Sequence, residues 1–131
     1  MEYTEIQKII ENAKSEYKNI GKVFCPYLGQ EINFTERGFN HLIYKDRDMR
    51  PYNEITVRLN SLKFVPKIIS RSGTLQEYEK RDVQYFGFIA IIYSKKYKVV
   101  ILKDTTGEYR FVSIIPKYRT GIRDIIKKPT Q

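Results

Sequence analysis

The chain has one cysteine, one histidine and no tryptophan in 131 residues. A single thiol, Cys25, excludes an internal disulfide framework and any zinc site built from several thiolates. With His41 as the lone imidazole, the other common route to a transition-metal site is missing as well. No apolar run approaches the roughly 20 residues that a membrane-spanning helix needs. The opening stretch, MEYTEIQKII, is polar and acidic-first, without the basic-then-apolar order of a secretory signal. Walker A and GxGxxG phosphate loops are lacking, as are clustered carboxylates for two-metal phosphoryl chemistry. So are internal repeats, low-complexity tracts and Gly/Ser-rich linkers. These absences lead us to expect a soluble cytoplasmic protein that uses no metal or cofactor and does not engage a membrane.

What the chain does have is aromatic and basic. Tyr (11) and Phe (7) together occupy 18 positions, and AVILMFWYC residues make up 41%. That is enough to build a core, so a wholly disordered chain is excluded. Lys plus Arg number 24 against 15 Asp plus Glu, a net charge of +9. Such a surplus attracts polyanions such as nucleic acid or an anionic membrane surface, and is equally compatible with a small acidic protein partner.

Hydrophobic spacing changes along the chain. Over residues 4–19, Ile6, Ile9, Ile10, Ala13 and Tyr17 recur at helical intervals, with Thr4 as N-cap and Gly21 near the stop. The segment Val23–Gln30, with Pro26 and Gly29, reads as irregular, and Glu31–Phe34 as short and extended. Thr35 caps a second helix reaching Tyr44 or Lys45. Its apolar face carries Phe39, Leu42 and Ile43, and the other face carries Arg37, His41, Tyr44 and Lys45. A charged connector, Lys45–Arg50, precedes a third helix opened by Pro51 and striped by Ile55, Leu59 and Leu62. Pro66 should end or kink it near Val65, because proline has no N–H for the i→i−4 bond.

After Ser72-Gly73 the period becomes two. Thr74–Lys80 reads as a weak edge strand and Val83–Tyr93 as a central strand covered on both faces. Lys96–Asp104 and Glu108–Ile115 follow, joined by short turns at Ser94-Lys95 and Thr105-Thr106-Gly107 that only antiparallel neighbours can share. The predicted fold is α+β: two or three helices packed on an antiparallel β-meander of about four strands. One domain covers 1–116, with an N-terminal helix over 1–20 and a core over 31–116, and 117–131 is a basic C-terminal tail.

Three residues could carry chemistry. Histidine is the side chain suited to proton transfer near neutrality, and His41 points away from its helix's apolar stripe. A solvated helix face that happens to include a histidine is the plainer account. Arg58 falls on the core stripe of the third helix, between Val65 and Leu62 at about 100° per residue. It must snorkel, pair with a carboxylate, for which Glu54 at i−4 is available, or line a cleft and face a phosphate. Ser113 lies in phase with Tyr109, Phe111 and Ile115, so its hydroxyl needs a partner, in the core or on a ligand. Between His41 and Arg71 seven Lys/Arg stand against three acids, with Tyr44 and Tyr52 interleaved. That mixture suits nucleic acid, whose bases can stack on the rings. Phosphodiester cleavage without a metal would restrict the substrate to RNA, whose own 2′-OH is the nucleophile.

The helix Thr35-Glu36-Arg37-Gly38-Phe39-Asn40-His41-Leu42, the basic tract with Lys45 and Arg50, the helix holding Arg58 and the ending Phe111-Val112-Ser113-Ile114-Ile115-Pro116 occur in a recognisable order. The pattern resembles the phage and mobile-element branch of the barnase–EndoU–colicin–RelE superfamily of metal-independent RNases. It runs from about Cys25 to Pro116 and does not cover the first helix or the tail. The resemblance implies a toxin-like or phage-borne endoribonuclease acting on tRNA, mRNA or rRNA and restrained by an inhibitor or antitoxin protein. It matches His41 to the helix histidine, Arg58 with Lys45 or Arg50 to the phosphate-binding cations, and Ser113 to the last-strand hydroxyl. Because there is no second histidine, Tyr85, Tyr44 or a lysine would share the proton transfers.

The expected function is therefore metal-independent RNA cleavage through a 2′,3′-cyclic phosphate. His41, Arg58 and Ser113 would be catalytic and converge on one cleft, with Lys45, Arg50, Tyr44 and Tyr85 binding substrate. The alternative is a non-catalytic basic module that binds nucleic acid or another protein.

Overall fold

The computed structural model describes residues 1–118. Helix α1 (Tyr3–Ile20) buries Ile6, Ala13 and Tyr17 along one side, as their spacing requires. Its N-cap is Glu2, without a side-chain capping bond, so Thr4 lies inside the first turn. The helix stops at Gly21, whose φ of 64° is a left-handed conformation that glycine adopts without steric penalty.

Strands β1 (Lys22–Cys25) and β2 (Gln30–Asn33) then form an antiparallel hairpin, with Val23 opposite Ile32. The expectation of an irregular Val23–Gln30 is corrected here. Pro26 and Gly29 occupy only the turn, while Cys25 and Ile32 are fully buried.

Thr35 caps helix α2 (Glu36–Ile43) by accepting the Gly38 N–H. The charged connector beyond it is a miniature hairpin of β3 (Tyr44–Lys45) and β4 (Asp48–Met49), turned at Asp46 with φ 59°. Helix α3 (Tyr52–Ser61), a 3-10 turn over Leu62–Phe64 and helix α4 (Val65–Ser70) follow as one helical run. Pro66 lies in the first turn of α4, where its missing N–H costs nothing, so the helix restarts there instead of running through.

Strands β5 (Glu77–Lys80), β6 (Gln84–Ile92), β7 (Lys95–Lys103) and β8 (Tyr109–Ile115) make the antiparallel meander. The full sheet has six strands in the order β1-β2-β8-β7-β6-β5, two more than the meander of about four. Both come from the β1–β2 hairpin, which joins the meander in parallel through Asn33 opposite Arg110. Tyr93 and Ser94, with φ of 50° and 64°, form the two-residue β6–β7 turn, one position earlier than expected. Nor is β6 covered on both faces. Phe86 and Phe88 enter the core, but Ile91 is 71% and Tyr93 87% exposed. Of the basic tail 117–131, all but Lys117 and Tyr118 lie outside the described residues.

The core joins the helices to one face of the sheet through Ile6, Phe39, Leu42, Ile55, Val65, Ile69, Phe88, Val99, Ile101, Phe111 and Ile114. Tyr17 knits it together. Its ring centroid lies 5.6 Å from Phe34, 5.2 Å from Phe39 and 6.1 Å from Phe111, and its hydroxyl donates to the Thr35 carbonyl at 2.7 Å. Burial pushes the phenol well above the usual tyrosine range, so it stays a neutral donor.

Helix α2 approaches β8 closely at Gly38. A Cβ there would sit 2.5 Å from the Phe111 carbonyl oxygen and 2.8 Å from the Tyr17 hydroxyl. Gly38→Ala should gain about 1 kcal/mol of helix propensity. It should lose more than that to overpacking, which costs about 1–3 kcal/mol and falls at the upper end against a backbone oxygen. Urea unfolding should therefore show a net loss of stability. An unchanged midpoint would mean that α2 stands farther from β8.

Asp104 organises the β7–β8 turn. Its carboxylate accepts from the Thr106 hydroxyl at 2.6 Å, the Thr106 N–H at 2.9 Å and the Glu108 N–H at 3.0 Å. These bonds, the Thr106 hydroxyl foremost, hold its carboxyl below the usual aspartate range. A depressed folded pKa means stability present above the unfolded value and lost as pH falls through the folded one. Asp104→Asn should therefore melt below wild type at neutral pH, the gap narrowing as the solution is acidified. A pH series of thermal unfolding curves checks this, and a gap that persists in acid would contradict it.

Candidate functional site

Helix α2 presents Arg37 and His41 one turn apart on its exposed side, since residues four apart share a helical face. Its contact with β8 carries that side to the margin of the sheet. There Arg37 and His41 meet Arg81, Tyr85 from β6 and Arg110 from β8 around an open cavity of about 600 Å³. Asp82 also lines it, so three arginines and one aspartate border the cavity. A histidine, three arginines and a tyrosine thus border one concavity.

The three arginines are held differently. Arg81 makes two bonds of 2.9 Å to the Glu79 carboxylate, and its guanidinium lies 5.2 Å from the Tyr85 ring centroid. These bonds to Glu79 raise its pKa above the ordinary arginine value. Arg110 approaches Asp104 Oδ2 at 3.6 Å through Nε, a buried atom with no hydrogen-bond partner. A buried N–H without an acceptor is costly, and the nearby Asp104 carboxylate offsets part of that cost. Arg37 stands exposed on the helix. His41 is exposed too, and among the described residues its ring makes no hydrogen bond.

Arg58 and Ser113 meet, but not in this cavity. Arg58 Nη1 donates to Ser113 Oγ and to the Ile114 carbonyl, both at 2.9 Å, and Nε reaches Glu54 Oε1 at 3.3 Å. Arg50 donates to the same Glu54 oxygen at 2.9 Å and to the His41 carbonyl at 3.1 Å. The side chains of Arg50 and Arg58 are 8% and 13% exposed, and Ser113 is 7% exposed. The single cleft expected for His41, Arg58 and Ser113 is therefore corrected to two places. The arginine on the core stripe has paired with its i−4 carboxylate and with β8, leaving its donors directed inward. Burial, then neighbouring Arg50, lowers its pKa from the ordinary value, and Glu54 opposes this. Guanidinium nonetheless keeps its proton.

Arg50 likewise faces inward, where it caps one of the last carbonyls of α2, a group with no intrahelical partner. Tyr44 and Lys45 are exposed on β3, past the end of α2, and do not line the cavity. Of the expected substrate-binding residues, Tyr85 alone does.

Sequence reasoning did not select Arg37, Arg81 or Arg110. For Arg37 a signal existed, namely its i−4 relation to His41. The placement of the β8 residues after Phe111 was obscured by a β-bulge. Phe111 pairs with Ile101 but Ser113 pairs with Val100, so strict alternation fails between them. Ser113 consequently does not share Phe111's phase, as the alternation had implied.

Among the described residues no group of three or more His, Cys, Asp or Glu stands where it could hold a metal ion. None of their helices is long and apolar enough to cross a membrane. Compared with known proteins, the chain matches no family model, no curated protein and no solved structure.

Proposed function

We propose that the protein is a metal-independent endoribonuclease acting at the His41 cavity. The observation that carries this reading is that His41 lines an open concavity together with Arg37, Arg81 and Arg110. RNA brings its own nucleophile. The 2′-oxygen attacks phosphorus while His41 accepts its proton, the bond from phosphorus to the 5′-oxygen breaks, and that oxygen gains a proton from Tyr85 or from His41 itself. The products are a 2′,3′-cyclic phosphate and a 5′-hydroxyl. Arg110 and Arg37 hold the phosphate oxygens as charge builds on them. Tyr85, beneath Arg81, offers a ring on which a base can stack. The resemblance to the barnase–EndoU–colicin–RelE superfamily supports the same chemistry from the sequence. Arg58 and Ser113 then act by fixing α3 against β8, Arg50 by tying α2 to α3, and none of the three touches RNA.

Incubating the purified protein with total RNA in EDTA tests the proposal. Wild type should fragment the RNA, with fragments ending in cyclic phosphate, and His41→Ala should not. Arg110→Gln should weaken binding and flatten its salt dependence. Each lost phosphate contact reduces the slope of log K against log salt by about 0.7 for a single strand. Fluorescence anisotropy at several salt concentrations measures it, and an unchanged slope would remove Arg110 from phosphate contact.

One observation favours a second reading, a non-catalytic nucleic-acid-binding module. No hydrogen bond among the described residues fixes the His41 tautomer, whereas a catalytic histidine is commonly oriented by a partner. Salt-sensitive RNA binding with no cleavage under any condition would select that reading.

A further inference from the structure

Strand β6 outruns its neighbour. β5 pairs only with Gln84–Gly87, so Phe88–Ile92 has no strand on that side. Gln76 Oε1 accepts the Ile89 N–H at 2.8 Å, taking the place of a strand carbonyl. Backbone groups in a strand alternate sides, so the N–H and C=O of Ile91 point the same way as the Ile89 N–H. The tight turn agrees. Ile92 pairs with Lys95 across Tyr93–Ser94, which leaves Ile91 directed outward. Among the described residues no strand meets these two groups.

Beside this edge lies a groove of about 380 Å³ between α4 and β6. Phe64, Ile68, Phe88 and Ile92 supply apolar lining, Lys67 and Arg71 are its charged residues, and no acid lines it. A long apolar edge with open backbone groups is a template for strand addition. We propose that this edge binds an extended, acidic segment of a partner protein, added to β6 as a further strand. Charge decides the occupant. A second copy would bring its own +9 charge and set Lys67 and Arg71 against their counterparts, whereas acidic side chains would be attracted to them.

Six residues separate Ile91 from Tyr85, about 20 Å along the strand. A segment bound here leaves the His41 cavity open, and the proposal does not rest on RNase activity.

The test uses a labelled hexapeptide of alternating valine and glutamate and its valine–lysine counterpart, each titrated into the full chain. The acidic peptide should bind more tightly, weaken with salt, and slow exchange of the Ile91 amide by about tenfold at saturation. Ile91→Pro, which removes the outward donor, should abolish binding. Arg71→Glu, an exposed substitution compatible with folding, should weaken it severalfold. Equal affinity for both peptides, or an Ile91 amide indifferent to the acidic one, would overturn the proposal. So would concentration-dependent dimerisation that protects Ile91, since the occupant would then be a second copy.

Discussion

Arg58→Ala is expected to destabilise the domain by about 3 kcal/mol, with no RNA present. The substitution orphans the Ser113 hydroxyl and the Ile114 carbonyl, both 2.9 Å from the guanidinium, and removes one of the two cations sharing Glu54. Glu54 keeps Arg50 and is partly exposed, so most of the loss comes from the two acceptors on β8. For a chain of this size the melting temperature should fall by about 10 °C. Arg58→Lys should not restore it, because a single ammonium cannot span Glu54, Ser113 and a carbonyl in a fixed plane. Ser113→Ala combined with Arg58→Ala should cost less than the sum of the two, as partners in one network do. Thermal and urea unfolding measure all three. Stability unchanged with RNA affinity lost would return Arg58 to the substrate site.

His41→Ala should behave in the opposite way. The side chain is exposed and has no hydrogen bond among the described residues, so stability should change by no more than about 0.5 kcal/mol. The cleavage rate should nevertheless fall by about 10²–10⁴-fold, the usual contribution of a positioned general acid or base. Initial rates on one RNA at fixed pH, alongside melting curves, separate the two variants. Arg58 variants should lose activity in step with folded protein, and His41 variants should lose it while folded. Equal rates for wild type and His41→Ala would remove the imidazole from the chemistry.

The contrast between these residues shows what could be read from the sequence. Periodicity placed α1, α2 and the meander, because each buries one face and its apolar positions repeat accordingly. The short extended stretch read at Glu31–Phe34 corresponds to β2, but β1 was not placed, because four residues before a Pro- and Gly-containing turn hold too few alternations to stand out. Their pairing with the meander is also long-range, Asn33 against Arg110, and no local pattern encodes it. At the site, His41 was identifiable from residue type, as the lone histidine, whereas Tyr85, one of 11 tyrosines, entered only through the resemblance. Arg58 was identifiable as anomalous, but the sequence offered both a carboxylate and a phosphate as its partner, and only packing against β8 decided between them. Arg110 alternates regularly with Phe111 before the bulge, and alternation alone gave no reason to single it out, while Arg81 lies between strands, where no period applies.

The account rests on the His41 cavity cutting RNA through the substrate's own hydroxyl. A mixed-sequence pool of deoxyoligonucleotides, each carrying one ribonucleotide, tests this directly when incubated with the protein in EDTA. The expected result is scission solely on the 3′ side of the ribonucleotide, leaving a 2′,3′-cyclic phosphate with wild type and intact strands with His41→Ala. Strands that survive wild type, or breaks at deoxynucleotide positions, would contradict it.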